Sequence, residues 1–596
     1  MKIAKYLLIT TIVAGGLGLS SASFAGPTTP ERLLNADNEP QNWLMTRGNY
    51  SSWHYSKLGQ INKSNVANLR VAFMASIGGN GVSTIAQSKG NEMSSPLVED
   101  GYMYTIDSMN KMMKFDVRSG TRALPVWRYD PQVTKFRQYQ NTRGMALWQN
   151  TIIQATRDAR LVAIDKETGE KIYEVTAREA PGVNPPEAIE TRELGGDISV
   201  MRTAGGKNIV IVGSGGGGIG WVAAHNPADG KEVWRTYTIP QPGEPNFGTW
   251  KGDTWKSGSV MPWGPASFDP ESNTIFIGTG EPSPVYDPEF RPGDNLYSVS
   301  TLALDADTGK LKWFFQEVPN DQNDYDSTGA RMIFDYKGAD GVIRKTVTNW
   351  ARNGFTYTLD RASGQFIQGV AQGDNINWTK GLDPKTGKPL EYNPSVGVQT
   401  YAVAGPRRGR PEKDAPAHCN TWGGAPTGIW PPSYDPTTGI TYQTRTSGCT
   451  YQTIQKTTDE NFQPWARENL GSVVKQVQVN TLANLVAIDV NKAKVINTYT
   501  YDQGIPSTRQ AEAGALATAG GLVFTGWADG TFAAYDKDTL VELWRFNTGT
   551  NLKGAAMTYS VNGKQFVAHI AGGSAHTSGV ADLILPTAML VVYALP

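Results

Sequence analysis

The sequence predicts an all-β protein, an eight-bladed β-propeller, from three observations. The first is a repeated hairpin unit. It reads LVAIDKETGEKIYEV from Leu161, VAAHNPADGKEVWRTYT from Val222, LALDADTGKLKWFFQ from Leu302, YTLDRASGQFI from Tyr357, LVAIDVNKAKVINTY from Leu485 and FAAYDKDTLVELWRFNTG from Phe532. A looser copy, MMKFDVRSGTRALPVWRYD, starts at Met112. The second is composition: 65 glycines, 17 tryptophans and 24 tyrosines against 18% charged residues describe a turn-rich β-protein. The third is length, since roughly 570 residues beyond a leader peptide suffice for eight four-stranded units with long insertions.

Each part of the unit has a physical reason. The first strand is apolar and ends in Asp, whose carboxylate closes a tight turn. The turn often ends in Gly, which accepts backbone angles that other residues resist. The second strand often ends in Trp, a large flat face for the neighbouring unit. Alternating strands such as NTIIQAT and GLVFTGWADG lie between the copies. The stretch GPRRGRPEKDAPAH from Gly405 to His418 reads as a surface loop. Residues 26–596 are expected to form one domain.

The first 25 residues read as a signal peptide. Lys2 and Lys5 precede an apolar run from Tyr6 to about Leu19, and Ser23-Phe24-Ala25 forms a small-residue cleavage site before Gly26. An uncleaved anchor fits less well, because the run is short for a span of about 20 residues and contains glycines. The mature protein is expected to be soluble and periplasmic, with no membrane anchor. Lys plus Arg equal Asp plus Glu at 55 each, which removes the electrostatic basis for nucleic acid as a partner.

The two cysteines, Cys419 and Cys449, exclude a cysteine-held zinc or iron–sulfur site, and no CxxCH haem attachment exists. In an oxidising compartment they could form one disulfide. The five histidines never approach ligand spacing, so any metal must be held by oxygen. The run GSGGGG from Gly213 fits the G-x-G-x-x-G fingerprint, but the residues after it alternate like further strands. That fingerprint needs a helix there to aim its N-terminus at a pyrophosphate, so a dinucleotide site is rejected.

From NWLMTRGNYSSWHYSKLGQINKSNVANLRVAF at Asn42 to GALATAGGLVFTGWADGTFAAYD at Gly514, the chain resembles the quinoprotein alcohol dehydrogenases of the methanol and ethanol dehydrogenase type. That resemblance implies an eight-bladed propeller with pyrroloquinoline quinone (PQQ) and a cation, Ca²⁺ or a lanthanide, at the mouth of its channel. It implies a small alcohol-type substrate and a cytochrome c as electron acceptor, and leaves a homodimer or a small second subunit open.

The same resemblance implies roles residue by residue. Asp324 in NDYD matches the catalytic aspartate that accepts the hydroxyl proton. Arg352 in WARNG matches the arginine at the quinone carbonyls. Glu92 in GNEMSSPL, Arg143 in NTRG, Thr156, Gly215, Gly216 and Trp263 in MPWG match cofactor-binding positions, Trp263 as the floor under the quinone. Asp326 matches the extra acidic position of the lanthanide-using branch. Cys419 and Cys449 match the family's structural disulfide.

Several positions depart from the family. Arg137 and Gln138 replace the adjacent cysteine pair, Gly218 a metal-binding glutamate and Glu281 a metal-binding asparagine. Met261 replaces a threonine, Thr446 an asparagine and Glu512 a late tryptophan. If Gly218 and Glu281 flank one site, a carboxylate has moved rather than vanished. Glu281, Asp324 and Asp326 then form an oxygen-only ligand set for a hard cation. The competing expectation is a degenerate propeller that has lost PQQ chemistry and binds another ligand or protein.

Overall fold

A computed structural model of the chain describes residues 27–78, 89–133, 139–338, 340–419, 430–457, 473–501, 513–572 and 588–596. The leader peptide, Arg137, Gln138 and Glu512 lie outside the described residues.

Each repeat folds as two antiparallel strands around its Asp turn. In Arg160–Asp165 and Lys171–Thr176, the Asp165 carboxylate accepts the N–H groups of Glu167 and Thr168, both at 2.8 Å. Asp360 does the same for Ala362 and Ser363 at 3.1 and 2.8 Å. The tryptophans explain how one unit recognises the next. Trp127 donates its ring N–H to Lys166 O (2.9 Å), Trp234 to Ala306 O (3.0 Å), Trp313 to Arg361 O (3.2 Å) and Trp544 to Leu69 O (3.0 Å). Each acceptor belongs to the following unit. The turn glycine is the landing place: a Cβ on Gly309 would lie 2.4 Å from the Trp234 ring, at a φ of +71°. Asp, Gly and Trp of the repeat are thus one docking device.

Among the described residues, the strands assemble into eight sheets of four or five strands and one two-stranded parallel ribbon, Lys89–Glu92 with Tyr139–Thr142. Six sheets follow one another along 97–129, 145–176, 193–237, 267–316, 332–371 and 417–501. In the seventh, the short strand Tyr55–Ser56 joins 516–547. In the eighth, Arg70–Gly78 near the N-terminus pairs antiparallel with Ala588–Ala594 at the C-terminus, so the two ends of the chain close the ring of a β-propeller. The apolar cores lie between sheets, where residues such as Ile153, Val162, Val222, Phe524 and Val567 are fully buried.

Cys419 stands opposite Cys449 on neighbouring strands and is disulfide-bonded to it. No helix among the described residues is long and apolar enough to cross a membrane. The 405–418 stretch departs in part from a surface loop. Gly409 and residues 411–414 are exposed, but Arg407 and Arg408 turn inward, toward Gln322 and Asp287.

Candidate metal and cofactor site

Asp324 and Asp326 lie in the irregular segment joining strands Leu311–Gln316 and Met332–Lys337. The buried Asp321 carboxylate accepts the N–H groups of Asn323 (3.0 Å) and Tyr325 (2.8 Å), which fixes the turn. Asp324 then adopts a left-handed φ of +63°. Tyr325 is fully buried against Trp378, with ring centroids 5.3 Å apart, while the flanking aspartates face the opposite way. The turn fixed by Asp321, with Asp324 in the left-handed conformation, brings both carboxylates to one cluster while Tyr325 is buried.

Glu281 arrives from another sheet. After strand Thr274–Gly278 the chain is laced to 260–261 by Gly280 N–H to Met261 O (3.0 Å) and Val260 N–H to Glu281 O (3.3 Å). One carboxylate oxygen from each of Glu281, Asp324 and Asp326 lies within 4.8 Å of the others. Arg352, just beyond strand Ile343–Trp350, closes the cluster: its Nη1 donates to Asp324 Oδ1 at 3.3 Å and to Asp326 Oδ2 at 3.2 Å.

Burial first, then the carboxylates of Asp326 and Asp324, push Glu281 well above the usual carboxylate range. Burial alone would lower Arg352, but Asp324 and Asp326 outweigh it and hold the guanidinium charged. Three carboxyl groups face one arginine, and a hard cation would balance the charge that Glu281 takes on when it gives up its proton. Asp326 Oδ1 is buried with no hydrogen-bond partner, a free ligand position. The donor set therefore fits an oxygen-ligated cation.

Trp263 stands next to this cluster. Gly280 lies between them, since a Cβ there would be 2.6 Å from Asp326 Oδ1 and 3.5 Å from the Trp263 ring nitrogen. Arg143 lies over the Trp263 ring at 4.5 Å, a cation–π contact, and donates to Gly195 O. Gly215 ends strand Asn208–Gly215, and Gly216 packs against the Thr191 carbonyl. No helix follows: the next element is strand Trp221–His225. Thr156 is buried, and its hydroxyl serves its own turn, donating to Asp158 Oδ1 (2.5 Å) and accepting from Arg160 N–H (2.9 Å). Thr446 is buried within strand Ile440–Lys456.

Glu92 is 1% exposed; its Oε1 accepts Ser108 N–H at 3.2 Å and its Oε2 has no hydrogen-bond partner. Burial, then the Asp107 carboxylate, raise Glu92 to about 8, and burial raises Asp107 to about 6. Both folded-state values exceed the ordinary ones, so both groups favour folding most when protonated. The pair's contribution is complete below the unfolded carboxylate values and is lost as pH rises toward about 8. Glu92→Gln is expected to flatten the loss of unfolding midpoint between about pH 5 and about pH 9, by several degrees, measured by thermal unfolding of the cofactor-free protein.

Gly218 is more than a deleted carboxylate. Its φ is +76°, and a Cβ would lie 2.5 Å from Asn184 Oδ1 and 2.8 Å from Ala188 Cβ. Behind it, a buried Arg192–Glu179 pair (2.6 Å) that the sequence reading missed holds the glycine run. Arg192 donates to Gly217 O (2.5 Å) and Ile219 O (2.7 Å) and reaches Met261 Sδ at 3.8 Å. Isolated bridges from Ile219 to Ser259 and from Ser259 to Pro282 place the Gly218 and Glu281 segments on either side of 258–261. Gly218→Glu is therefore expected to lower the unfolding midpoint, costing about 1–3 kcal/mol, and not to tighten cation binding. Calorimetry of unfolding and a cation titration check both halves.

A β-propeller carrying three converging carboxylates, a bridging arginine and an adjacent indole defines the class. The family model described as the PQQ glucose/ethanol/alcohol dehydrogenase β-propeller domain matches residues 43–374 and 432–567, and the chain belongs to that family. It is 32% identical to the quinohemoprotein alcohol dehydrogenase ADH-IIG of Pseudomonas putida, over 95% of this chain and 78% of that one. It is 31% identical to a lanthanide-dependent methanol dehydrogenase of Methylorubrum extorquens, over 94% and 91%. Among solved structures, a europium-containing methanol dehydrogenase superposes with a TM-score of 0.80 at 25% identity, over 95% of this chain and all of that one.

Proposed function

We propose that the protein is a periplasmic PQQ-dependent dehydrogenase of an alcohol or related substrate, passing electrons to a cytochrome c. The eight sheets are read as eight blades of one domain over 26–596, exported by cleavage after residue 25. The observation that carries the function is the convergence of Glu281, Asp324 and Asp326 on Arg352.

Glu281, Asp324 and Asp326 are the residues that would hold Ca²⁺ or a lanthanide, and three carboxylates favour the trivalent ion. Trp263 supplies a flat face for the quinone. Arg143, Glu92, Gly215 and Gly216 are its further contacts; the family resemblance adds Thr156, whose hydroxyl and N–H both serve its own turn. When bound, PQQ would supply a hydride acceptor and the cation would supply Lewis acidity. Asp324 accepts the substrate hydroxyl proton, which its partly exposed position allows. Arg352 holds Asp324 in place and presents positive charge to oxygen that becomes negative during the reaction.

A second reading, a propeller that has lost PQQ chemistry and binds another ligand or protein, draws on Gly218 and on the internally engaged Thr156 hydroxyl. One experiment separates the two. The purified protein is mixed with PQQ and Ca²⁺ or La³⁺, and the absorbance spectrum and alcohol-dependent dye reduction are recorded. A bound quinone with dye reduction supports the dehydrogenase; no bound quinone with either ion supports the second reading.

A further inference from the structure

Two loops meet at Asp324, and a buried arginine ties them together. Tyr286 lies five residues beyond Glu281, on the segment that leads to the next strand, Ser300–Asp305. It is 1% exposed, and its hydroxyl donates to Asp324 Oδ2 at 3.3 Å. Arg352 donates to the other oxygen, Oδ1, at the same distance. Each carboxylate oxygen thus receives a donor.

The Tyr286 loop is built to hold that position. Arg291 is fully buried and donates to Pro284 O (2.8 Å), Val285 O (2.7 Å) and Asn295 Oδ1 (2.8 Å). It also donates to the carbonyl of Asp321, the residue whose side chain fixes the Asp324 turn. One guanidinium therefore sets the distance between the backbone before Tyr286 and the backbone before Asp324. From the outer side, Arg408 grips the buried Asp287 carboxylate at 2.9–3.1 Å, and its backbone N–H donates to Glu289 Oε2 at 2.9 Å. Burying an arginine is costly, and here it serves to make one side-chain position rigid.

We propose that Tyr286 is a positioning residue for Asp324: with Arg352, its hydroxyl fixes which carboxylate oxygen is presented to the substrate hydroxyl. This rests on the reading of Asp324 as the proton acceptor. The charged groups around Asp324 are Arg352, Glu281 and Asp326, with Arg291 and Asp321 behind. A neutral phenol adds an orienting donor to this set without altering its charge. Without it, Asp324 can rotate to place both oxygens on Arg352, a misalignment that slows the chemical step rather than weakening substrate binding.

The test is Tyr286→Phe in the PQQ- and La³⁺-loaded enzyme. The expected result is a kcat at least about tenfold lower, an alcohol KM within about twofold of wild type, and unchanged bound quinone. In an Asp324→Asn background the same substitution is expected to cause no further loss. A wild-type kcat, or a raised KM with kcat unchanged, overturns the proposal. If the wild-type protein shows no dehydrogenase activity, the proposed function fails, and the contact is still tested by the unfolding midpoints of Tyr286→Phe, Asp324→Asn and the double variant. Losses that are not additive support the coupling, and additive losses overturn it.

Discussion

Asp324→Asn is expected to lower PQQ-dependent alcohol oxidation by about 10²- to 10⁴-fold while the protein stays folded and binds quinone. The amide keeps the shape of the side chain: its one oxygen can accept from Arg352, while its NH2 donates to the Tyr286 hydroxyl, which then acts as acceptor. It cannot take up the hydroxyl proton. Because one of three cation carboxylates is also lost, cation affinity is expected to fall as well, so the assay is run with La³⁺ in excess. Dye reduction and the quinone spectrum, measured on the same sample, separate a lost proton acceptor from a lost cofactor. Unchanged turnover would show that another group takes the proton.

Glu281→Gln is expected to have the second largest effect, on cation binding rather than on chemistry. Glu281 is the third carboxyl group of the cluster, and its removal leaves Asp324 and Asp326 facing Arg352 with less net negative charge. The half-saturating La³⁺ concentration for activity is expected to rise by about 100-fold or more, and the Ca²⁺ requirement likewise. Turnover at saturating ion is expected to change much less. An unaltered ion dependence would mean that Glu281 stands beside the ion without binding it.

How far the sequence discloses this arrangement depends on the range of the forces involved. The repeat is legible because its three signals are local or nearly so: Asp caps a turn, Gly turns it, and Trp docks on the next unit. The Asp324-Tyr325-Asp326 run is legible as two neighbouring carboxylates, but the buried Asp321 turn that aims both at one point is not. The role proposed for this run comes only from family resemblance. The convergence of Glu281 was an inference from a paired loss and gain; it depends on the lacing of 258–261 between two loops, which no local pattern encodes.

Buried charges were the least legible. Arg192 and Arg291 carry no signal in the sequence, and the partly buried Arg408 sits in the stretch that reads as a surface loop, yet each anchors a backbone turn or a carboxylate. A sequence does not distinguish an arginine that faces water from one satisfied by carbonyls of a distant loop. Gly218 teaches a related lesson. As a letter it is an absent ligand, but as a backbone position at +76° it belongs to a turn that accommodates no side chain.

The cation site is tested most directly by a Tb³⁺ luminescence titration of the cofactor-free protein, excited through the aromatic residues Trp263 and Tyr286 beside the carboxylate cluster. The expected result is saturable sensitised emission from one ion per chain, displaced by La³⁺ and strongly weakened in Glu281→Gln. Emission that does not saturate, or that is the same in Glu281→Gln as in wild type, would contradict a cation site built from Glu281, Asp324 and Asp326.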